Sequence, residues 1–246
     1  MLLILTACEG TLPPLRGVAE VGRDAIVVFV GGQGQAGGDL FAVLGSGGQV
    51  IPLTYTNVGE MRPALSPDGG AVAFLRGGSL SDSTPGSVWV MNLLSGAERE
   101  VSLPEGAGPP TRVGWAKDGR SLVVAAGSGL YRAPAPPAEG DAKAIPPGAR
   151  VAAESSLAVL LGRPAFGRAV GCENSSDLCV LGDSGAPALL AKGTRDAARW
   201  GGDSVAYFMG DALLVRPLGP GRERRVRLEG GPARPREPTV FAGQRR

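Results

Sequence analysis

Three groups of residues have types and spacings that could do chemistry. Gly32, Gly34 and Gly37 spell G-x-G-x-x-G directly after the apolar run 25–30. That is the spelling of a dinucleotide-binding loop, in which glycines let the backbone approach a pyrophosphate at a helix N-terminus. Cys172 and Cys179 flank the turn-rich stretch GCENSSDLC. They can be bridged as a hairpin staple in an oxidising compartment, or stand as two thiols. Arg16, Arg62, Arg112 and Arg195 each stand ten residues before an apolar strand-like residue (Ile26, Val72, Leu122 and Val205). Arg150 opens a shorter unit in the same way. The planar donor fork of arginine suits carboxylate and phosphate.

Composition and spacing rule out several chemistries. The chain has no histidine. Ser-His-Asp and Cys-His triads, a histidine base and histidine-ligated metal are therefore excluded. The three cysteines have no zinc spacing. A dinucleotide site also needs a helix of about ten residues or more after the glycines. Here DLFAVL follows and is stopped by Gly45, Ser46, Gly47 and Gly48. No acidic residue ends a next strand at the required distance, Glu60 falling in a loop. No nucleotide or other cofactor is expected.

The elements that must position these residues are short strands. Forty glycines and twenty-one prolines punctuate a chain of 246 residues that is 43% hydrophobic. The apolar residues fall in compact clusters bounded by glycine, as buried strands do. A net charge of +2 gives no nucleic-acid signature.

The clusters repeat. AIVVFVGG (25–32), AVAFLRGG (71–78), SLVVAAGS (121–128), LAVLLGRP (157–164) and SVAYFMGD (204–211) align as second strands. DLFAV (39–43), SVWVM (87–91), GLYRA (129–133), DLCVL (177–181) and ALLVR (212–216) follow as third strands. Fourth strands are QVIPLT (49–54), EREVSL (98–103), DAKAIP (141–146), PALLAK (187–192) and ERRVRL (223–228). First strands end in turns such as Ser66-Pro67-Asp68-Gly69 and Lys117-Asp118-Gly119, where glycine supplies positive φ. Weaker first strands cover 16–24, 150–156 and 195–204.

Four short antiparallel strands per unit, at about 38–50 residues, are the pattern of a β-propeller blade. The fold expected is all-β: a propeller of about five four-stranded blades, with an incomplete six-bladed propeller as the alternative. The units run about 16–56, 57–106, 107–148, 149–193 and 194–232. The basic tail 233–246 supplies a closing strand through 239–241 or begins a further blade.

RPALSPDGGAVAFLR followed by SVWVM (62–91) resembles the TolB-type repeat, a WD-like propeller unit marked by an SPDG turn. Members of that family carry six blades and a separate α/β domain, whereas five units and no such domain are read here, so the resemblance implies a free-standing member of the superfamily or a fragment of one. Leu5-Thr6-Ala7-Cys8 resembles the bacterial lipobox. It implies a signal remnant over 1–8, lipidation of Cys8, a tether over 9–15 and export. Glu9 after the lipidated cysteine implies the outer membrane.

The function expected is binding. An exported propeller without a catalytic set is a scaffold for an envelope protein or an anionic ligand. The five arginines are expected to ring one channel mouth, because each would open the innermost strand of a blade. The alternative is a carbohydrate-active propeller enzyme with paired axial carboxylates. Carboxylates on the axis would favour that enzyme, and arginines would favour binding.

Overall fold

The computed structural model describes residues 15–34, 37–77, 86–136, 148–151, 169–171, 177–181, 187–193 and 196–243. Among them every regular element is a strand. The chain opens with β1 (Ile26–Gly34), β2 (Gly37–Leu44), β3 (Gly48–Gln49) and β4 (Ile51–Pro52). A second group is β5 (Glu60–Leu65), β6 (Ala71–Arg76), β7 (Ser87–Asn92) and β8 (Glu98–Val101). A third is β9 (Pro110–Trp115), β10 (Ser121–Ala126), β11 (Gly129–Pro134) and β12 (Ala149–Val151). Then come β13 (Ala169–Gly171), β14 (Leu178–Leu181) and β15 (Pro187–Ala191). The last are β16 (Ala197–Trp200), β17 (Ser204–Met209), β18 (Ala212–Pro217), β19 (Arg224–Val226), β20 (Leu228–Glu229) and β21 (Arg236–Phe241).

In the second, third and fourth groups, and over β16–β19 of the last, neighbouring strands pair antiparallel, while β3 pairs parallel with β20. The first sheet is different in one respect. Its order is β21-β1-β2-β4, so its first strand comes from far along the chain. Ile26 faces Phe241 and Val28 faces Thr239 across this join.

The apolar runs are continuous, not alternating; in the first, second and last sheets both faces are covered. Ile26, Val28 and Val30 of β1 pack with Val72 and Phe74 of β6. Val27 and Phe29, pointing the other way, pack with Ala206 and Phe208 of β17. Ala73 and Leu75 in turn meet Val113, Trp115 and Val124 of the third sheet. Val205 and Tyr207 meet Leu178 and Ala191 of the fourth. Period-two alternation thus sends successive side chains of one strand to different neighbouring sheets. Sheets stacked face to face in this way, with β21, β5 and β9 side by side as innermost strands, are the blades of a β-propeller. Phe29, buried between Phe41 and Phe208 at ring distances of 5.9 and 5.1 Å, contributes about 1.5–3 kcal/mol by burial.

The glycine motif of the first unit lies in this framework. Gly34 faces Gly37 in the β1–β2 hairpin. A Cβ on Gly31 would stand 2.0 Å from the Pro232 ring, so glycine there admits the chain leading to β21. No helix follows. In the SPDG turn Gly69 has φ +73, and a Cβ on it would stand 2.6 Å from the Phe241 ring.

Several boundaries differ from expectation. Residues 16–24 form no strand. They coil through turns in which Ala19 N–H donates to Leu15 O and Asp24 N–H to Glu20 O. β21 occupies the place expected for them, since it carries the same strand pattern and only closure decides which segment fills the slot. Leu15, the expected end of a tether, is instead 1% exposed and packs in the core. The fourth strand of the third sheet is β12, not 141–146, which lies outside the described residues. The partner of β14 is β13, at 169–171. The run 157–164 expected there lies outside the described residues.

Candidate functional site

The innermost strands β21, β5 and β9 run in the same direction. Leu65 N–H donates to Thr239 Oγ1 at 3.0 Å, and Trp115 Nε1–H donates to Ala64 O at 2.8 Å. Their first residues therefore share one end of the propeller. Each strand carries an irregularity near that end. One extra residue enters β5 between Met61 and Ala64, and one enters β21 opposite Val28–Val30. These residues are Arg62 and Glu237, at φ 55 and 51, and proline follows each. Positive φ is uncommon for side chains of this size. Bulges of this kind re-aim side chains. Here they bring the pair together: Arg62 N–H donates to Glu237 Oε2 at 2.6 Å, and Arg62 Nη1 stands 3.8 Å from Glu237 Oε1. Arg62 Nε is buried with no acceptor among the described residues.

The five arginines do not form one ring. Arg62 and Arg112 occupy corresponding places at the start of β5 and β9, and Arg112 is exposed. Arg150 lies on β12, the outermost strand of its sheet, opposite Tyr131. Arg16 lies at the other end of the propeller. Its neighbour Leu15 donates to Leu93 O, where β7 ends, and Leu93 donates to Gly70 O, where β6 begins. Arg195 and Cys8 lie outside the described residues, as does Cys172; Cys179 is buried on β14. In the first blade Glu237 takes the place of Arg62, and the arginines beside it are Arg236, the first residue of β21, and Arg234, two residues before it. Sequence reading by consecutive units missed them. Their signal was the match of REPTVF to MRPAL, each with proline after the bulge residue.

Behind this end lies a buried charge cluster. Glu60, expected in a loop, is the first residue of β5 and is 0% exposed. Thr54 Oγ1–H donates to its Oε2 at 2.8 Å, and Thr56 Oγ1–H to its Oε1 at 2.9 Å. Arg76 Nε–H donates to Oε1 at 3.0 Å, while Arg76 Nη1–H donates to Glu98 Oε2 at 2.6 Å. The Arg76 guanidinium lies over the Trp89 and Phe74 rings, 4.6 and 5.1 Å from their centroids. Burial pushes the Glu60 carboxyl above its usual range, against the threonine hydroxyls and Arg76. Burial also opposes the charge on Arg76, but Glu98 and Glu60 outweigh it.

The opposite end holds a cavity of about 290 Å3 between the second and third blades, lined in part by Asp68, Arg99, Trp115 and Arg120. Asp68 is committed to its own turn. Its Oδ1 accepts from Ser66 Oγ–H at 2.5 Å and Gly70 N–H at 3.0 Å. Burial alone would raise its pKa, yet these bonds hold it below the usual range. Asp118, in the matching turn, is also held low, chiefly by Arg120 N–H, with Ser121 and Arg132 adding to it. Ionised acceptors of this kind cannot act as general acids near neutrality.

No protein-family model and no curated protein matches the chain. Solved structures similar to it include TolB from Acinetobacter baumannii, at 13% identity and a TM-score of 0.41, over 88% of this chain and 66% of that one. A putative TolB from Agrobacterium tumefaciens matches at 13% and 0.38, over 82% and 64%. A periplasmic gluconolactonase from Pseudomonas aeruginosa matches at 17% and 0.32, over 82% and 67%. The chain thus spans just under two thirds of the length of either TolB structure.

Proposed function

We propose that the chain is a non-catalytic binding scaffold of the bacterial cell envelope, and that it engages an anionic partner at the end where its innermost strands begin. One observation carries this reading. At that end the carboxylates of the innermost strands are withdrawn, while the arginines face solvent. Glu60 is fully buried, and Glu237 is spent on Arg62. Arg112 and Arg234 are exposed and without an ion-pair partner among the described residues, and Arg236 is half-buried. A glycoside hydrolase needs the reverse, with two carboxyl groups open to a sugar. Arginine forks in water are suited to carboxylate or phosphate.

Export belongs to the same proposal. It rests on the lipobox at Cys8 and on a Cys172–Cys179 staple, which an oxidising compartment would maintain. The test uses the tagged full chain in its bacterial host, with formaldehyde crosslinking of the envelope fraction. The wild type yields a discrete crosslinked species, and Arg112→Glu with Arg234→Glu loses it. Chromogenic glycosides and lactones are not turned over. Turnover above background, or crosslinks indifferent to the arginines, would overturn the reading. Labelled palmitate incorporated into the wild type and absent from Cys8→Ser checks the anchor.

A further inference from the structure

We infer that Tyr55 is a preorganised aromatic anchor on this face, and that its occupant is an acidic polypeptide segment carrying an apolar residue. The inference rests on the reading of the arginine end given above.

Tyr55 lies in the connection 53–59, which leads directly into β5 and so sits at the arginine end. It is 85% exposed, and Val58 in the same connection is 49% exposed. Nothing inside the chain gains from an aromatic ring left in water. The connection itself is firmly held. Leu53 N–H donates to Leu40 O at 2.8 Å. Thr54 Oγ1 accepts from Leu40 N–H at 2.8 Å and donates to Glu60. Thr56 N–H donates to Asp39 Oδ1 at 3.1 Å, and Thr56 Oγ1–H is shared between Val58 O and Glu60. With both flanking hydroxyls turned inward to one buried carboxylate, the Tyr55 ring is turned outward.

The buried Glu60–Arg76 pair is a costly device, since charges removed from water are rarely worth their desolvation as stability alone. Its structural effect is to fix the segment that presents the ring. A ring held in place before binding loses little freedom on binding. Tyrosine and arginine are also the residues that most often dominate interfaces. Charge complementarity selects the occupant. Arg112, Arg234 and Arg236 stand at the same end. Of the acidic groups there, Glu60 and Glu237 are sequestered and Asp39 is engaged by Thr56. Glu105, in the connection before β9, and Asp211, in the turn between β17 and β18, are exposed, and Asp196 before β16 is half-buried; against them stand the arginines of the three innermost strands.

The experiment selects a random peptide library, displayed on phage, against the full chain. Enriched peptides are then used as probes in fluorescence anisotropy with the wild type, Tyr55→Ala, Tyr55→Phe, and Arg112→Glu combined with Arg234→Glu. Thermal melts confirm that each variant is folded. The expected peptides are rich in Asp and Glu around an aromatic or branched aliphatic residue. Tyr55→Ala weakens them by about 10-fold or more, the range of an interface hot spot. Tyr55→Phe retains most of the affinity, and the arginine variant loses it. Peptides that lose affinity with the arginine variant but bind Tyr55→Ala within about 2-fold would overturn the anchor and leave the arginine reading standing. Enriched peptides without acidic residues, or no enrichment at all, would overturn both.

Discussion

Replacing Arg76 by leucine should destabilise the propeller far more than removing a surface ion pair. Glu60 is 0% exposed and the Arg76 side chain only 12%, so water cannot rehydrate the carboxylate once its partner has gone. The threonine hydroxyls remain, but no positive charge does. Breaking a buried pair from one side costs about 3–5 kcal/mol. Losing the guanidinium over Trp89 and Phe74 adds about 0.5–2 kcal/mol. Two effects work in the other direction. Leucine gains apolar contact, and Glu60, already pushed above 4.5 by burial, can take up a proton. A net loss of about 3–4 kcal/mol is expected, which corresponds to a Tm about 6–16 °C lower for a chain of this size. Urea unfolding near pH 7 measures it. A raised folded pKa means that the native state binds more protons than the unfolded state above pH 4.5. Glu60 therefore weighs least against the fold in acid, and its cost grows as pH rises through its folded value. The Arg76→Leu deficit should accordingly shrink as pH falls toward 4.5. The control is Arg132→Leu, which removes an ion pair to Asp118 whose side chains are 51% and 37% exposed. That loss should stay below about 1 kcal/mol. A deficit no larger than the control, or one unchanged by acid, would refute the assignment of a charged, sequestered pair.

Other perturbations probe the closure and the turns. Thr239→Val removes the acceptor of Leu65 N–H at the join of β21 and β5 and should cost about 1–2 kcal/mol in urea. An unchanged midpoint would mean that β21 is not seated there. Gly69→Ala meets both a φ of +73 and the Phe241 ring. It should cost clearly more than Gly77→Ala, where φ is +68 but the space is open; equal losses would argue against the contact. The Tyr207 phenol is pushed up to about 12 by burial, its hydrogen bond to Glu223 adding to the shift. The native state then binds the extra proton between pH 10 and about 12, so stability falls across that window. Tyrosinate absorbance should show one late transition, absent in Tyr207→Phe; a full titration near pH 10 would contradict it.

Much of the blade architecture was legible because hairpins are local. Ala71–Arg76 beside Ser87–Asn92, and Ser121–Ala126 beside Gly129–Pro134, follow from apolar runs that are near neighbours in the chain. Asp68 and Gly69 announce their turn by residue type alone. The same local reading explains why the G-x-G-x-x-G spelling resolves into a hairpin: the run after it is too short for a helix. Where units are weak the reading slipped, placing Arg150 one blade too late, because three residues of β12 carry no pattern of their own.

The functional end was less legible, since its residues meet only through closure. Arg62 and Glu237 are separated by 175 positions and touch because β21 completes the first sheet. Nothing near Glu60 in the chain marks it as buried. Its burial comes from the packing of the first blade on the second, with Thr54 and Arg76 arriving from either side. The amino-acid sequence by itself determined the strands, their turns and the two-faced blades, because propensity, alternation and turn geometry act over a few residues. Tertiary structure alone decided which arginines share an end, which carboxylates leave solvent and why Tyr55 faces outward. Those outcomes depend on which distant strand fills each innermost place, and on the desolvation that follows once it does.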